Sequence, residues 1–243
     1  MVSPVQRYQQ EMHQNIGFFA TWLPGDLLEL GDIGTLVNGT FRKQSSFKEM
    51  GIAYKVSKFG ASQNLQYTSK FGIAFSVDTS VDASAMIDVS AAIKVEFSSQ
   101  GSFLFQASDV RNRRLENIAN LKNAVLEARA SGKWNKNWQV VDSIREADCA
   151  TVIVSEDESA RVSFNAKGPV GGIPLADPRV NLSISSSRGR MAQVIAGRHI
   201  RPLYTCLHVR ESLFSSPSFE PVRGAAGGDA PFVKTSINEL LQS

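Results

Sequence analysis

Between Leu65 and Phe97 the apolar residues fall on odd positions: Leu65, Tyr67, Phe71, Ile73, Phe75, Val77, Val81, Ala83, Ala85, Ile87, Val89, Ala91, Ile93, Val95 and Phe97. The even positions carry Gln66, Thr68, Lys70, Ser76, Asp78, Asp82, Ser84, Asp88, Ser90, Lys94 and Glu96, with Gly72, Ala74, Met86 and Ala92 as small or apolar exceptions. A period of two gives a strand one apolar and one polar face, whereas a helix would spread these residues around its circumference. Fully extended, the run would reach about 110 Å. A domain of this length has a radius of gyration of only about 18 Å. The run must fold back into at least two strands, and the turn formers of the segment 78–82 mark the expected corner. That predicts arms of roughly 13 residues, well beyond the usual strand.

Around this ribbon the sequence reads as short elements. Ser3 is placed to cap a helix with Pro4 in its first turn. Val5, Tyr8, Met12, Ile16 and Phe19 follow at helical spacing. Pro24-Gly25, Gly31, Gly34 and Asn38-Gly39 then punctuate short apolar pieces. Residues 111–130 form the best helical pattern, with Leu115, Ile118, Leu121, Val125 and Ala128 on one stripe, Asp109 as the cap and Ser131-Gly132 as the stop. Trp138, Val140 and Ile144 start a β region. Residues 150–154 and 161–166 read as a hairpin around Glu156-Asp157-Glu158, followed by a Gly/Pro loop over 168–178. Val180, Leu182 and Ile184 resume the two-residue period. The stretch 215–231 is rich in Pro, Gly, Ser and Ala and reads as a linker. Beyond it Phe232 or Val233, Ile237, and Leu240 or Leu241 would share one side of a short helix that either docks back on the body after the link or simply completes the core as a last helix.

Composition narrows function more by exclusion than by signal. The 243 residues carry a formal net charge of +3, too little to argue for nucleic acid. Basic residues cluster over 42–70, 111–136 and 179–210, while 65–97 is slightly acidic. Arg111, Arg113, Arg114, Arg188, Arg190, Arg198 and Arg201 are the candidates to face anionic lipid, where each cation contributes about 1 kcal/mol. Cys149 and Cys206 are not in a CxxC pair, which suits a cytosolic setting. The residues MVSPVQRYQQEM lack a cleavable signal pattern. His13, His199 and His208 show no metal-ligand spacing. There is no GxGxxG, Walker or GxSxG motif, and the SxxK at Ser45–Lys48 has no partner motif. The expectation is a protein that is not an enzyme and needs no cofactor.

Long two-faced hairpins meet the geometric demand of a membrane, where crossing strands need about 9–11 residues and a polar face toward water. A lone hairpin cannot cross, because its edges expose unpaired backbone groups, so copies would have to close a barrel. Leu65, Tyr67, Phe71, Ile73, Phe75, Val77, Ile87, Val89, Ile93, Val95 and Phe97 are the candidate inserting residues. In water their face must be covered, and the helices at 111–130 and at the N-terminus are the expected cover. An ordinary sandwich with long strands explains the same pattern.

The order of elements resembles the pore-forming domain of the gasdermins, and more so the compact bacterial members. It lies in VQRYQQEM, then LQYTSKFGIAFSVDTSVDASAMIDVSAAIKVEF, then LENIANLKNAVLEARASG, WQVVDSIREADCATVIV and VNLSISSSRGRMAQVIA. The resemblance is one of layout over about residues 1–210 plus the tail. Bacterial members carry a lipid-modified cysteine near the N-terminus, and MVSPVQRYQQ has none. The resemblance implies an α+β fold. Its centre would be a twisted, mostly antiparallel sheet, with long amphipathic hairpins packed by helices and a short C-terminal tail. It implies a pore-forming body at 1–214, a linker at 215–231 and an inhibitory segment at 232–243. It also implies a protease that removes the tail, a cytoplasmic monomer or small oligomer before cutting, and afterwards a homo-oligomeric pore at the inner face of the plasma membrane that kills the cell in antiphage defence. Two rival readings are a non-enzymatic protein that self-assembles through its hairpins and a nucleic-acid binder using its basic patches.

Overall fold

The computed structural model describes residues 3–21, 28–37, 40–69, 73–80, 89–168, 181–210 and 218–221. Helix α1 (Pro4–Ile16) starts where the sequence places it. The Ser3 hydroxyl accepts from the Gln6 amide at 3.2 Å, and the Gln6 side chain returns a bond to the Ser3 amide at 3.0 Å, a capping box. Gly17, at φ 73°, ends it. The short strand β1 (Phe19–Ala20) follows, then β2 (Asp32–Val37) and β3 (Thr40–Ser46), paired antiparallel. After β4 (Lys55–Val56) come β5 (Gln63–Thr68), β6 (Ile73–Ser80), β7 (Val89–Phe97) and β8 (Phe103–Glu116). Helix α2 (Ile118–Ala130) leads to β9 (Gln139–Ser155), β10 (Arg161–Gly168), β11 (Asn181–Arg188), β12 (Met191–Arg210) and β13 (Ser218–Pro221).

The result is a mixed α+β fold dominated by antiparallel sheet. A nine-stranded sheet is built around β12, β9 and β8, and β6, β7, β10 and β11 form a second, four-stranded sheet. Helix α1 covers one face of the large sheet. Its Tyr8 and Met12 are fully buried against Leu65, Phe103, Phe105, Val152 and Val154, and the Tyr8 ring meets Phe103 edge-on at 4.9 Å. Burying a side chain of this size contributes about 1.5–3 kcal/mol. Leu121 and Val125 of α2 join Phe47, Ile33, Val140 and Tyr204 in a second core. Leu104 and Ile153 alternate with the residues beneath α1 and lie in a third cluster. The ends of β8 and β9 are therefore buried on both faces.

Several expectations change. The corner of the 65–97 run is not at 78–82: Asp78, Thr79 and Ser80 are still in β6, opposite Ala92, Ala91 and Ser90. The expected fold-back into at least two strands is met with three, because β5 joins the large sheet beside β8. Residues 111–116 are strand, not helix. Arg111 to Arg114 pair with β9, Asp109 is a positive-φ residue within β8 rather than a cap, and α2 starts after Asn117 at φ 58°. Leu115 happens to sit three residues before Ile118, so it satisfies the helical stripe while belonging to a strand that a long ladder with β9 holds extended. Finally, β9 and β10 are not a hairpin; they lie in different sheets. The helices pack on the large sheet, so among the described residues α1 covers only the β5 end of the 65–97 run.

Cys206 is fully buried, and burial pushes its thiol well above the ordinary range. Neither cysteine is in a disulfide. A thiol reagent at pH 8 should leave Cys206 unmodified in the native protein and label it once denaturant unfolds the chain, as mass spectrometry of the Cys206 peptide would read.

Candidate functional site

The two sheets are halves of one ladder. Across the large sheet four strands run in the order β5-β8-β9-β12, and across the small sheet in the order β6-β7-β10-β11. Those are the same chain segments in the same order. β5 continues into β6, β8 follows β7, β9 continues into β10 and β12 follows β11. Each pair of neighbours stays paired on both sides of a line that crosses all four. The line runs through 69–72, 98–102, 156–160 and 189–190. Met191 pairs with Ser155 on one side of it and Arg188 with Arg161 on the other.

Hydrogen bonds tie the crossings together. The Ser69 amide donates to the Phe103 carbonyl at 3.0 Å, and the Phe103 amide to the Ser69 hydroxyl at 3.1 Å. The Gly101 amide donates to Ser155 and the Ser155 amide to Ser102, both at 2.8 Å. The Phe97 amide reaches the Ala160 carbonyl at 2.8 Å. Arg190 donates its amide to Asp157 at 2.7 Å and its guanidinium at 3.2 and 3.3 Å. These bonds hold the Asp157 carboxyl below the usual carboxylate range, the Arg190 amide first and its side chain second. Two glycines are required here. Gly189, at φ 79°, would place a Cβ 3.0 Å from the Ala160 Cα, and Gly101, at φ 85°, would place one 2.8 Å from the Arg7 side chain of α1.

Inside the bend lies the third core cluster: Val95 and Phe97 of β7, Leu104, Ile153, Ala160, and Val162 and Phe164 of β10, with Ile73 and Met191 packed against it. Phe164 and Val95 are fully buried. This cluster folds the apolar side of the small sheet onto the face of the large sheet opposite α1.

Register carries the apolar pattern across the small sheet. Ile73 stands opposite Phe97, Phe75 opposite Val95 and Val77 opposite Ile93. Val95 in turn stands opposite Val162, Ile93 opposite Phe164 and Ala91 opposite Ala166. Phe164 and Ala166 stand opposite Ile184 and Leu182. Opposed residues of an antiparallel pair share a face, so one face of all four strands is apolar by position. The alternate positions bring together Ser76 and Lys94, Lys94 and Ser163, and Asn165 and Ser183. Of the candidate inserting residues, Leu65 and Tyr67 lie in β5 beside α1. Ile73, Phe75, Val77, Val89, Ile93, Val95 and Phe97 lie in the small sheet. Phe71 and Ile87 lie outside the described residues, as do Phe232, Val233, Ile237, Leu240 and Leu241.

The basic residues divide. Arg114 and Arg188 are exposed. Arg190 is held by Asp157. Arg201 pairs with Glu29 at 2.6 Å and Glu146 at 3.7 Å and is largely buried. Arg111 pairs with Asp148 at 3.4 Å, and the guanidiniums of Arg111 and Arg113 both lie over the Phe59 ring, at 5.1 and 4.7 Å. For Arg198 only its place in β12 is described. Sequence reading missed the crossing line and these pairings; Gly101 and Gly189 were the one available signal. His13 is buried and stacked on Phe19 with ring centroids 3.7 Å apart. Among the described residues no group of His, Cys, Asp or Glu is arranged to hold a metal ion.

Two consequences of the bend can be measured. Truncating Phe164 to Ala should cost about 3–5 kcal/mol in urea unfolding, the usual penalty for an aromatic removed from a packed core. Asp157 has a folded pKa below its unfolded one, so its stabilisation is present above the ordinary carboxylate range and is lost as pH falls through the folded value. Asp157→Asn should therefore lower the melting temperature at pH 7, and the difference from the parent should vanish near pH 2.

No family model matches the sequence, and no curated protein matches it. Among solved structures the chain is similar to one described as the cryo-EM structure of the Gasdermin A3 membrane pore. The alignment has 12% identity and covers 80% of this chain and 89% of that chain, with a TM-score of 0.29. That is a remote structural resemblance to the family whose layout the sequence resembles.

Proposed function

We propose that this chain forms pores in membranes, and that the four-stranded sheet of β6, β7, β10 and β11 is the part that inserts. The observation that carries this reading is the register shared across the crossing line. Because the same strands are neighbours on both sides, the small sheet can swing into line with the large one without breaking a single strand pairing. What must be lost is the cluster around Phe97 and Phe164 and the bonds at the crossings. β7 has nine residues and β6, β10 and β11 have eight each as described, close to the 9–11 needed to cross lipid. An apolar face meeting lipid and a polar face meeting water is the pattern of a membrane barrel strand.

The small sheet ends at β6 on one side and β11 on the other. Open edges are intolerable in hydrocarbon, so insertion demands that copies pair edge to edge and close a homo-oligomeric ring. Before activation the chain is a monomer or small oligomer in the cytoplasm. The body at 1–214 is held closed by the segment 232–243 through the stretch 215–231, of which Ser218–Pro221 is not linker but strand β13 paired with β12. A protease cut in the linker removes a tethered ligand whose effective concentration was high. Exposed Arg114 and Arg188 then favour anionic lipid at the inner face of the plasma membrane, and the breach kills the cell, an outcome suited to antiphage defence.

Deleting 224–243 should make the protein release dye from anionic liposomes while the intact chain does not; dye retained by a folded fragment rules the proposal out. Parity supplies a sharper test in the same assay. Ile93→Asp puts a charge on the apolar face and should abolish release, since a charge on the lipid-facing side of a barrel strand is destabilising. Ala92→Asp, one residue away on the polar face, should release dye normally. Sizing in buffer separates this function from lipid-free self-assembly: a protein that assembles without lipid would already be large before liposomes are added.

A further inference from the structure

The large sheet carries a cavity of about 200 Å³ on the side of β8, β9 and β12 that the 54–59 segment covers. It is lined by Leu30, Tyr54, Val56, Phe59 and Ile144, with Glu29, Glu146, Arg113 and Arg201 as the polar groups. The charges are unequally satisfied. Arg201 is matched by Glu29 and Glu146 and also donates to the Leu28 carbonyl at 2.7 Å. Arg113 has no carboxylate among the described residues. Its guanidinium lies 4.7 Å from the Phe59 ring centroid, and its Nε is buried without a hydrogen-bond partner. A buried donor left unpaired is costly, and more so on a charged group. The guanidinium fork fits a carboxylate in two parallel hydrogen bonds.

We propose that this cavity binds a small monocarboxylate, its carboxylate on Arg113 and its apolar body between Tyr54, Val56, Phe59 and Ile144. The size follows from the volume. A cavity of about 150 Å³ takes benzene, so 200 Å³ accepts about eight or nine heavy atoms. The charge follows from the lining. The lining carries two arginines and two glutamates; both glutamates sit on Arg201, so Arg113 is the cation left without a carboxylate, while the nearby glutamates disfavour a dianion. The inference is independent of pore formation.

Benzoate and hexanoate, titrated into the full chain by calorimetry, are the probes, with inorganic phosphate for comparison. Expected is saturable binding with a Kd of about 0.1–1 mM, ordinary for ligands this small. Arg113→Gln should weaken it about tenfold or more. Val56→Trp, which keeps the charge and fills the space, should abolish it, so the proposal remains testable even where Arg113→Gln does not fold. Circular dichroism reports folding of each variant. No saturable binding up to about 10 mM, unchanged affinity in a folded Arg113→Gln, or phosphate binding as tightly as benzoate overturns the proposal.

Discussion

Everything in this molecule is organised by the packing of Phe97, Val162 and Phe164 against Leu104 and Ile153 in the angle between two sheets. Without that contact the four long segments would have no reason to bend, since their hydrogen-bond partners are the same above and below. Backbone pairing alone would favour continuous strands with a strong twist. The bent state exists because apolar surface on the small sheet finds apolar surface on the back of the large one. Hydrogen bonds at the crossings reinforce it, and the ion pair among them, Arg190 on Asp157, is an exposed pair of the kind that contributes little by itself.

The large sheet is built to stay put. β8 and β9 have α1 on one side and the cluster in the bend on the other, a both-faces-buried arrangement that antiparallel strands adopt less often than parallel ones. Helix α1 also reaches the crossing line itself. The Arg7 side chain fills the space beside Gly101 and donates to the Gln100 carbonyl at 3.3 Å. Stability is thus concentrated in one half of the ladder, while the other half depends on one small cluster. Such unevenness is the usual condition for one part of a protein to move while the rest keeps its structure.

What the sequence made legible followed from short-range chemistry. The capping box and Pro4 set α1, and the odd-position parity of 73–80 and 90–97 survives as odd facing odd across β6 and β7. What it hid depended on partners far along the chain. Asp78 and Ser80 are good turn residues, yet their strand runs on because β7 pairs with it there. Arg111 to Glu116 look helical in isolation, yet β9 holds Arg111 to Arg114 extended and β4 pairs with Leu115 and Glu116. The cavity is the extreme case: Leu30, Tyr54, Arg113, Ile144 and Arg201 lie in separate stretches of chain, and no spacing could have grouped them.

The four crossings are not alike in length. Three span 69–72, 98–102 and 156–160, whereas β11 passes to β12 through Gly189 and Arg190 alone. Slack in a connector decides how far its two ends can separate. The β11–β12 margin has almost none, so in the opening proposed above it would be the spine about which the other three turn, with displacement growing toward the β6 margin. The small sheet would then open like a page, sweeping widest at its outer strand, and the first edge to reach a neighbouring molecule would be β6.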